Sequence, residues 1–266
     1  MHITVINDCA DENAAGRQVS RLGVLVPNAS ISFVGVGSYA DLQASGNLID
    51  TLDAFEGREG AILVNVAPRH KGSTNWSNGT PFCYFTYRKT IVVASVDGFT
   101  LSLVRKLRLV DSISIMDIAQ VANDMHAKGF ITEDEVKYLP HTQFRSFDFT
   151  PRVGAAMLSG YIPPAENYDI ENIAPAPEAV WWVDNFGNIK TTLFPEEIDF
   201  IPGEERKTKL GSFRCFERLS YVPKGEVGLI VGSSGLGNRR FLEIVIQGGR
   251  ASDTFGIEVG DLLKRL

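Results

Sequence analysis

Over the first part of the chain, continuous apolar runs alternate with segments whose apolar residues recur every three to four positions. Residues 3–6, 31–34, 61–66, 90–95 and 112–116 read as strands. Residues 12–22, 40–55 and 117–126 carry helical spacing, and Thr132-Glu133-Asp134-Glu135 is a capping box that opens another helix. Strand and helix in alternation predict an α/β layer with a mostly parallel sheet over residues 1–162. Phe82, Tyr84, Phe85 and Tyr87 read as one more strand or a subunit contact rather than a base-stacking surface.

The pattern then changes. Pro163-Pro164 and Pro175-Ala176-Pro177 bracket a polar segment without periodicity, and residues 163–178 read as a linker. Beyond it, short strands at 180–183, 188–193, 227–231 and 241–246 are separated by glycine turns such as Gly248-Gly249 and Gly260-Asp261. Residues 179–266 are therefore expected to form a small all-β barrel domain.

Composition narrows the partners. A chain of 266 residues, 44% hydrophobic, is long enough for one large core or two modest ones and reads as soluble and globular. A formal net charge of −6 without a basic run argues against nucleic acid and for a small-molecule ligand. The opening apolar stretch reaches Asn7-Asp8 too early for a secretory signal, and no run approaches the roughly 20 residues of a membrane span. A cytoplasmic location is expected. Cys9, Cys83 and Cys215 are odd in number and widely spaced, so they are expected to be reduced. His2, His70, His126 and His141 have no metal-ligand spacing, so neither a metal nor a cofactor is expected; His126 and His141 read as ordinary surface or loop histidines.

Three stretches carry candidate chemistry. Gly35-Val36-Gly37-Ser38-Tyr39-Ala40 fits a relaxed dinucleotide fingerprint, but it follows the second strand, and the third strand ends in Asn65-Val66-Ala67 without the acid that would hold a ribose. Asp8 stands just beyond the carboxyl end of the first strand, where ligands of open α/β sheets gather, and its carboxylate can accept from both hydroxyls of a ribose. The alternative is a helix N-cap, a role that Asp11 also fills. In Trp181-Trp182-Val183-Asp184-Asn185-Phe186-Gly187-Asn188-Ile189-Lys190-Thr191-Thr192, one glycine-centred corner displays an acid for a ligand ammonium, an aromatic face and a carboxamide for a purine edge. The alternative here is a hairpin whose Asp and Asn satisfy their own turn.

Taken in order, the Asp8 loop, this corner, Gly232-Ser233-Ser234-Gly235, Phe241-Leu242-Glu243-Ile244 and Gly260-Asp261 resemble the S-adenosylmethionine hydroxide adenosyltransferase family, which includes the S-adenosylmethionine-dependent fluorinases and chlorinases. The resemblance runs through nearly the whole β domain. In the first domain it rests on residues 3–8, 61–66, 93–102 and 143–160. It implies an α/β domain followed by a small barrel, assembled as a homotrimer with each site between the first domain of one subunit and the barrel of its neighbour. It further implies that Asp8 holds the ribose diol, Asp184 the methionine ammonium, and Phe186 and Asn188 the adenine, with Ser233 and Ser234 at the methionine end.

The reaction implied is displacement at the ribose C5′, expelling methionine. Hydrolytic relatives hold their water with Asp, Arg and His; here the family's Asp-Pro-Gly-Val-Gly loop reads Ala67-Pro68-Arg69-His70-Lys71-Gly72, and its Phe-His-Gly-Arg-Asp segment reads Phe144-Arg145-Ser146-Phe147-Asp148. The acid is absent and Arg145 replaces the histidine. Three readings stay open: Arg69, His70 and Arg145 handle water; Arg145 and Ser146 hold an anionic nucleophile such as a halide; or the chain binds S-adenosylmethionine or adenosine without turnover. In the insert Leu236-Gly237-Asn238-Arg239-Arg240, an arginine either clamps the methionine carboxylate or belongs to a solvated turn.

Overall fold

Alternate residues of the N-terminal strands are buried on opposite faces, which requires helices on both sides of their sheet. The computed structural model describes residues 1–66, 80–208 and 211–263. It divides into two compact units, Met1–Pro175 and Ala176–Leu266.

In the first unit β1 (His2–Asn7), α1 (Glu12–Leu25), β2 (Ser30–Gly35), α2 (Asp41–Phe55) and β3 (Gly60–Asn65) follow one another as successive βα units. The chain continues through β4 (Phe82–Tyr87), β5 (Thr90–Ser95), α3 (Ser102–Leu107), β6 (Ser112–Met116), α4 (Ile118–Ala127), α5 (Glu133–Tyr138), α6 (Arg145–Asp148), α7 (Thr150–Leu158) and β7 (Glu166–Asp169). The sheet order is β2-β1-β3-β5-β4-β6-β7. The first four are parallel neighbours, whereas β4 runs against both β5 and β6, and β7 against β6. A mostly parallel sheet is thus extended by antiparallel strands at one side.

Ile3, Val5, Ala61, Leu63 and Val93 point to one face, where they pack with Leu22 of α1 and Val153 of α7. Gly154 brings α7 close, since a Cβ there would lie 2.8 Å from Leu63 Cδ2. On α2 the fully buried stripe Leu48, Ile49 and Leu52 belongs to the helix that contacts β1 and β3. Asp11 caps α1 by accepting from Ala14 N at 3.0 Å, and Thr132 and Glu135 form the expected capping box. The cap of α1 is therefore Asp11 and not Asp8.

The proline-flanked stretch is not wholly irregular. Within it, β7 pairs along β6, and Tyr84 Oη donates to Pro163 O at 3.1 Å. Backbone pairing rather than apolar periodicity holds this mostly exposed edge strand, which is why its sequence carries no strand pattern.

The second unit contains β8 (Val180–Val183), β9 (Ile189–Thr191), β10 (Glu205–Thr208), β11 (Gly211–Phe216), β12 (Val227–Leu236), β13 (Arg239–Ile246) and α8 (Ala251–Phe255). One six-stranded sheet, β10-β11-β12-β13-β9-β8, curls into half a barrel. Leu229, Leu242, Ile244, Phe213 and Val180 fill its core with Ala251 of α8. The long β12–β13 pair is broken by a bulge between Val231 and Gly235, which places Gly232-Ser233-Ser234 off the regular ladder.

Candidate functional site

In the first unit a cavity of about 650 Å³ opens beyond the carboxyl ends of β1, β3 and β5. Asp8, Asn65 and Ser95 line it from the strand ends; His141, Arg145 and Ser146 line it from the helical side. The volume is that of a site for a small organic ligand. Three residues expected from the sequence to form the site, Asp8, Arg145 and Ser146, therefore share one cavity.

Asp8 is held by β3 on one side and by the loop that follows β2 on the other. Its N–H donates to Asn65 O at 3.3 Å, and its Oδ2 accepts from Tyr39 N at 3.3 Å. Below it, the buried Asn7 donates through Nδ2 to Gln18 Oε1 at 2.7 Å, while its Oδ1 accepts from Cys9 N at 2.9 Å and from Asn65 Nδ2 at 3.4 Å. This carboxamide cluster fixes the loop that carries the carboxylate. Polar residues at the ends of strands 3–6 and 61–66 are its only sequence signal.

The facing wall is built by α6. Arg145 Nη1 donates to Thr80 O at 3.1 Å, and Ser146 is buried at 9% exposure with its carbonyl accepting from Thr150 Oγ1 at 3.0 Å. The Arg17 guanidinium lies 4.0 Å over the Phe147 ring, and Arg21 Nη1 donates to Phe147 O at 3.3 Å, so α1 holds α6 in place. His141, expected from the sequence to be an ordinary loop histidine, lines the same cavity. Arg69 and His70 lie outside the described residues. The Gly35–Ala40 loop spends its N–H groups internally: Gly37 N donates to Gln43 Oε1 at 3.1 Å and Tyr39 N to Asp8. That loop offers no phosphate cradle of the dinucleotide kind.

In the second unit the predicted corner is the turn between β8 and β9. Asp184 Oδ1 accepts from Phe186 N and Asn188 N, both at 2.9 Å, and Oδ2 accepts from Asn188 Nδ2 at 2.9 Å. Asp and Asn do satisfy their own turn. These bonds leave acceptor capacity, because a carboxylate oxygen accepts more than one bond and the Asn188 amide, with its nitrogen committed to Asp184, keeps its carbonyl oxygen as an acceptor. Phe186 is 69% exposed at the tip. Gly187 has φ +78°, and a Cβ there would lie 2.6 Å from Arg250 Cβ and 3.0 Å from Arg250 Cα. Arg250 Nη1 in turn donates to Asn185 O at 2.7 Å, and Ser252 N to Gly187 O at 3.0 Å.

Ser233 and Ser234 sit on the β12 bulge with different surroundings. Ser233 is exposed, and its N–H donates to Glu243 Oε1 at 3.2 Å. Ser234 is buried and accepts from Lys190 Nζ at 2.8 Å, while Lys190 pairs with the buried Glu243 at 3.0 Å. Sequence reasoning gave Lys190 and Glu243 no role, although an acid inside the apolar run 241–246 is a signal of such a pair. Arg240 Nη1 folds back onto Ser233 O at 3.0 Å and Gly235 O at 3.2 Å, and the Arg239 guanidinium lies 4.5 Å over Phe194. Among the described residues no group of three His, Cys, Asp or Glu side chains is placed to hold a metal, and no helix is long and apolar enough to cross a membrane.

Comparison with known proteins agrees with this architecture. Over 99% of the chain, the fold is similar to that of an uncharacterized conserved protein from Thermotoga maritima, at 18% identity, TM-score 0.72 and 100% coverage of that chain. A conserved hypothetical protein from Thermus thermophilus is similar over 99% of each chain at 16% identity and TM-score 0.64. No curated protein matches. Residues 178–264, which contain the Asp184 corner and the β12 bulge, match the SAM hydroxide adenosyltransferase C-terminal domain. That match covers the second unit, and it is there that the chain is similar to the SAM hydroxide adenosyltransferase family.

Proposed function

We propose that the protein binds S-adenosylmethionine and displaces its methionine from the ribose C5′ with water, giving adenosine and methionine without a cofactor or metal. The observation that supports this reading is the cavity beyond the strand ends that Asp8, Arg145 and Ser146 line together, in a chain whose other unit matches the SAM hydroxide adenosyltransferase C-terminal domain. A sulfonium leaves readily, so the protein has chiefly to align a nucleophile with C5′ and exclude bulk water. On this reading Asp8 accepts from the ribose hydroxyls, and the Arg145 guanidinium stabilises the hydroxide-like oxygen as it forms. Asp184 takes the methionine ammonium, Phe186 and Asn188 the adenine, and Ser233 and Ser234 the methionine end.

The working assembly in this proposal is a homotrimer whose sites combine the Asp8 cavity of one subunit with the Asp184 corner of a neighbour. Light scattering of the purified protein should give three times the 29.2 kDa chain mass. A monomeric mass would remove the shared site.

Cys9 provides a probe of occupancy, because it is exposed and lines the Asp8 cavity, whereas Cys83 and Cys215 are buried. Burial, then Asp8 and Asp11, push the Cys9 thiol up, and burial pushes Cys83 up to about 12. Alkylation at neutral pH should therefore be slow, quicken as pH rises and fall on Cys9. Saturating S-adenosylmethionine or adenosine should slow it several-fold. A Cys9 labelling rate indifferent to both ligands would place the adenosyl group elsewhere.

A further inference from the structure

We propose that the buried Lys190–Glu243 pair sets the shape of the β12 bulge and thereby the affinity for the methionine half of the ligand, an inference that rests on the function proposed above. The strand pattern puts both side chains on one face. Ile189 on β9, and Leu242 and Ile244 on β13, belong to the core of the half-barrel, so Lys190 and Glu243, which alternate with them, point to the opposite face. They are cross-strand partners in the register of β9 and β13. Lys190 stands two residues beyond Asn188, so the pair links the Asp184 corner to the bulge along one short strand.

The pair bonds to both serines of the bulge. Glu243 Oε1 accepts from Lys190 Nζ at 3.0 Å and from Ser233 N at 3.2 Å, and Lys190 Nζ also donates to the buried Ser234 Oγ at 2.8 Å. At Gly232 the carboxylate lies against the backbone itself, since a Cβ there would come within 2.3 Å of Glu243 Oε1. Regular pairing with β13 is interrupted between Val231 and Gly235, so these side-chain bonds, with those of Arg240 to the Ser233 and Gly235 carbonyls, fix the course of the backbone. Ser234 is turned inward and Ser233 stays exposed. The Lys190 and Glu243 side chains are 12% and 7% exposed, so neither charge can be left alone. A buried pair of this kind adds little stability over apolar side chains of like volume; what it supplies is the single geometry that satisfies both charges. Lys190 and Glu243 are thus positioning residues, and they act on the amino-acid half of S-adenosylmethionine while leaving the adenosine half alone.

The test is calorimetric titration of S-adenosylmethionine and of adenosine into the wild type, Lys190→Met/Glu243→Leu, Gly232→Ala and Glu243→Gln, with thermal unfolding of each. The double change replaces the pair by apolar side chains and leaves no lone charge. Gly232→Ala keeps both charges and pushes the carboxylate away from Ser233 N. Each should weaken S-adenosylmethionine about 10- to 100-fold with adenosine affinity unchanged, and KM should rise with Kd while kcat holds. Glu243→Gln, which keeps an acceptor for Ser233 N and Lys190 Nζ, should retain most of the affinity. A merely structural pair would instead lower the unfolding temperature and move both ligands together. S-adenosylmethionine affinity unchanged in the double variant or, where that variant does not fold, in Gly232→Ala overturns the inference and leaves the proposed function standing. An equal loss for the two ligands does the same. A wild type that binds no S-adenosylmethionine overturns the proposed function, and the inference with it.

Discussion

Asp184→Ala should abolish detectable S-adenosylmethionine binding and destabilise the second unit by about 2–3 kcal/mol. The stability loss follows from the turn itself, since Asp184 accepts from Phe186 N, Asn188 N and Asn188 Nδ2. The binding loss follows from the ammonium it is proposed to meet; truncating one partner of a desolvated charge pair costs about 2–5 kcal/mol, or roughly 30-fold to several thousand-fold in Kd. Two variants separate these effects. Asp184→Asn keeps an oxygen for the two backbone N–H groups but sets amide against amide at Asn188 and removes the charge, so binding should fall further than stability. Gly187→Ala keeps the charge and distorts the turn, because its positive φ and the Arg250 backbone 3.0 Å from a new Cβ oppose any side chain. Calorimetric titration and thermal unfolding of the three variants give both quantities. Unchanged binding in Asp184→Ala would remove the corner from the site.

Arg145→Ala should leave S-adenosylmethionine affinity close to that of the wild type and lower kcat by about 10²- to 10³-fold. The guanidinium donates to Thr80 O and lies in the cavity wall beside Ser146, and its fork of five N–H groups can serve an oxygen gaining negative charge while that bond is kept. Arg145→Lys should recover little, because a single ammonium lacks the planar fork that serves a carbonyl and a second acceptor together. Single-turnover rates with independently measured Kd values distinguish the effect from lost binding. A rise in Kd equal to the fall in rate would make Arg145 a ligand clamp instead.

Much of this architecture is legible along the chain, for physical reasons that also explain what is not. Residues 90–95 and 112–116 are apolar runs long enough for a strand, and the Thr132–Glu135 box is a local reciprocal bond, so each announces itself without tertiary information. Asp8 is legible because it follows a strand by one residue, and Asp11, three residues on, supplies the helix cap. In contrast β7 is held by backbone pairing to β6, and α6 by contacts from α1 more than one hundred positions away, so neither has a local signature. The same holds for His141: nothing in Leu139-Pro140-His141 indicates a cavity until β1, β3 and α6 converge on it. At the corner the structure bears out the reading of a turn that satisfies its own Asp and Asn, and the same Asp184 bonds hold its carboxylate and the Asn188 carboxamide in fixed orientations.

Incubating the purified protein with S-adenosylmethionine, with and without chloride, and identifying the products by mass spectrometry decides the reaction. Hydrolysis at C5′ yields adenosine and methionine in equal amounts, above the spontaneous rate and indifferent to chloride. Intact S-adenosylmethionine, or a 5′-chloro-adenosine that forms only when chloride is present, would contradict it.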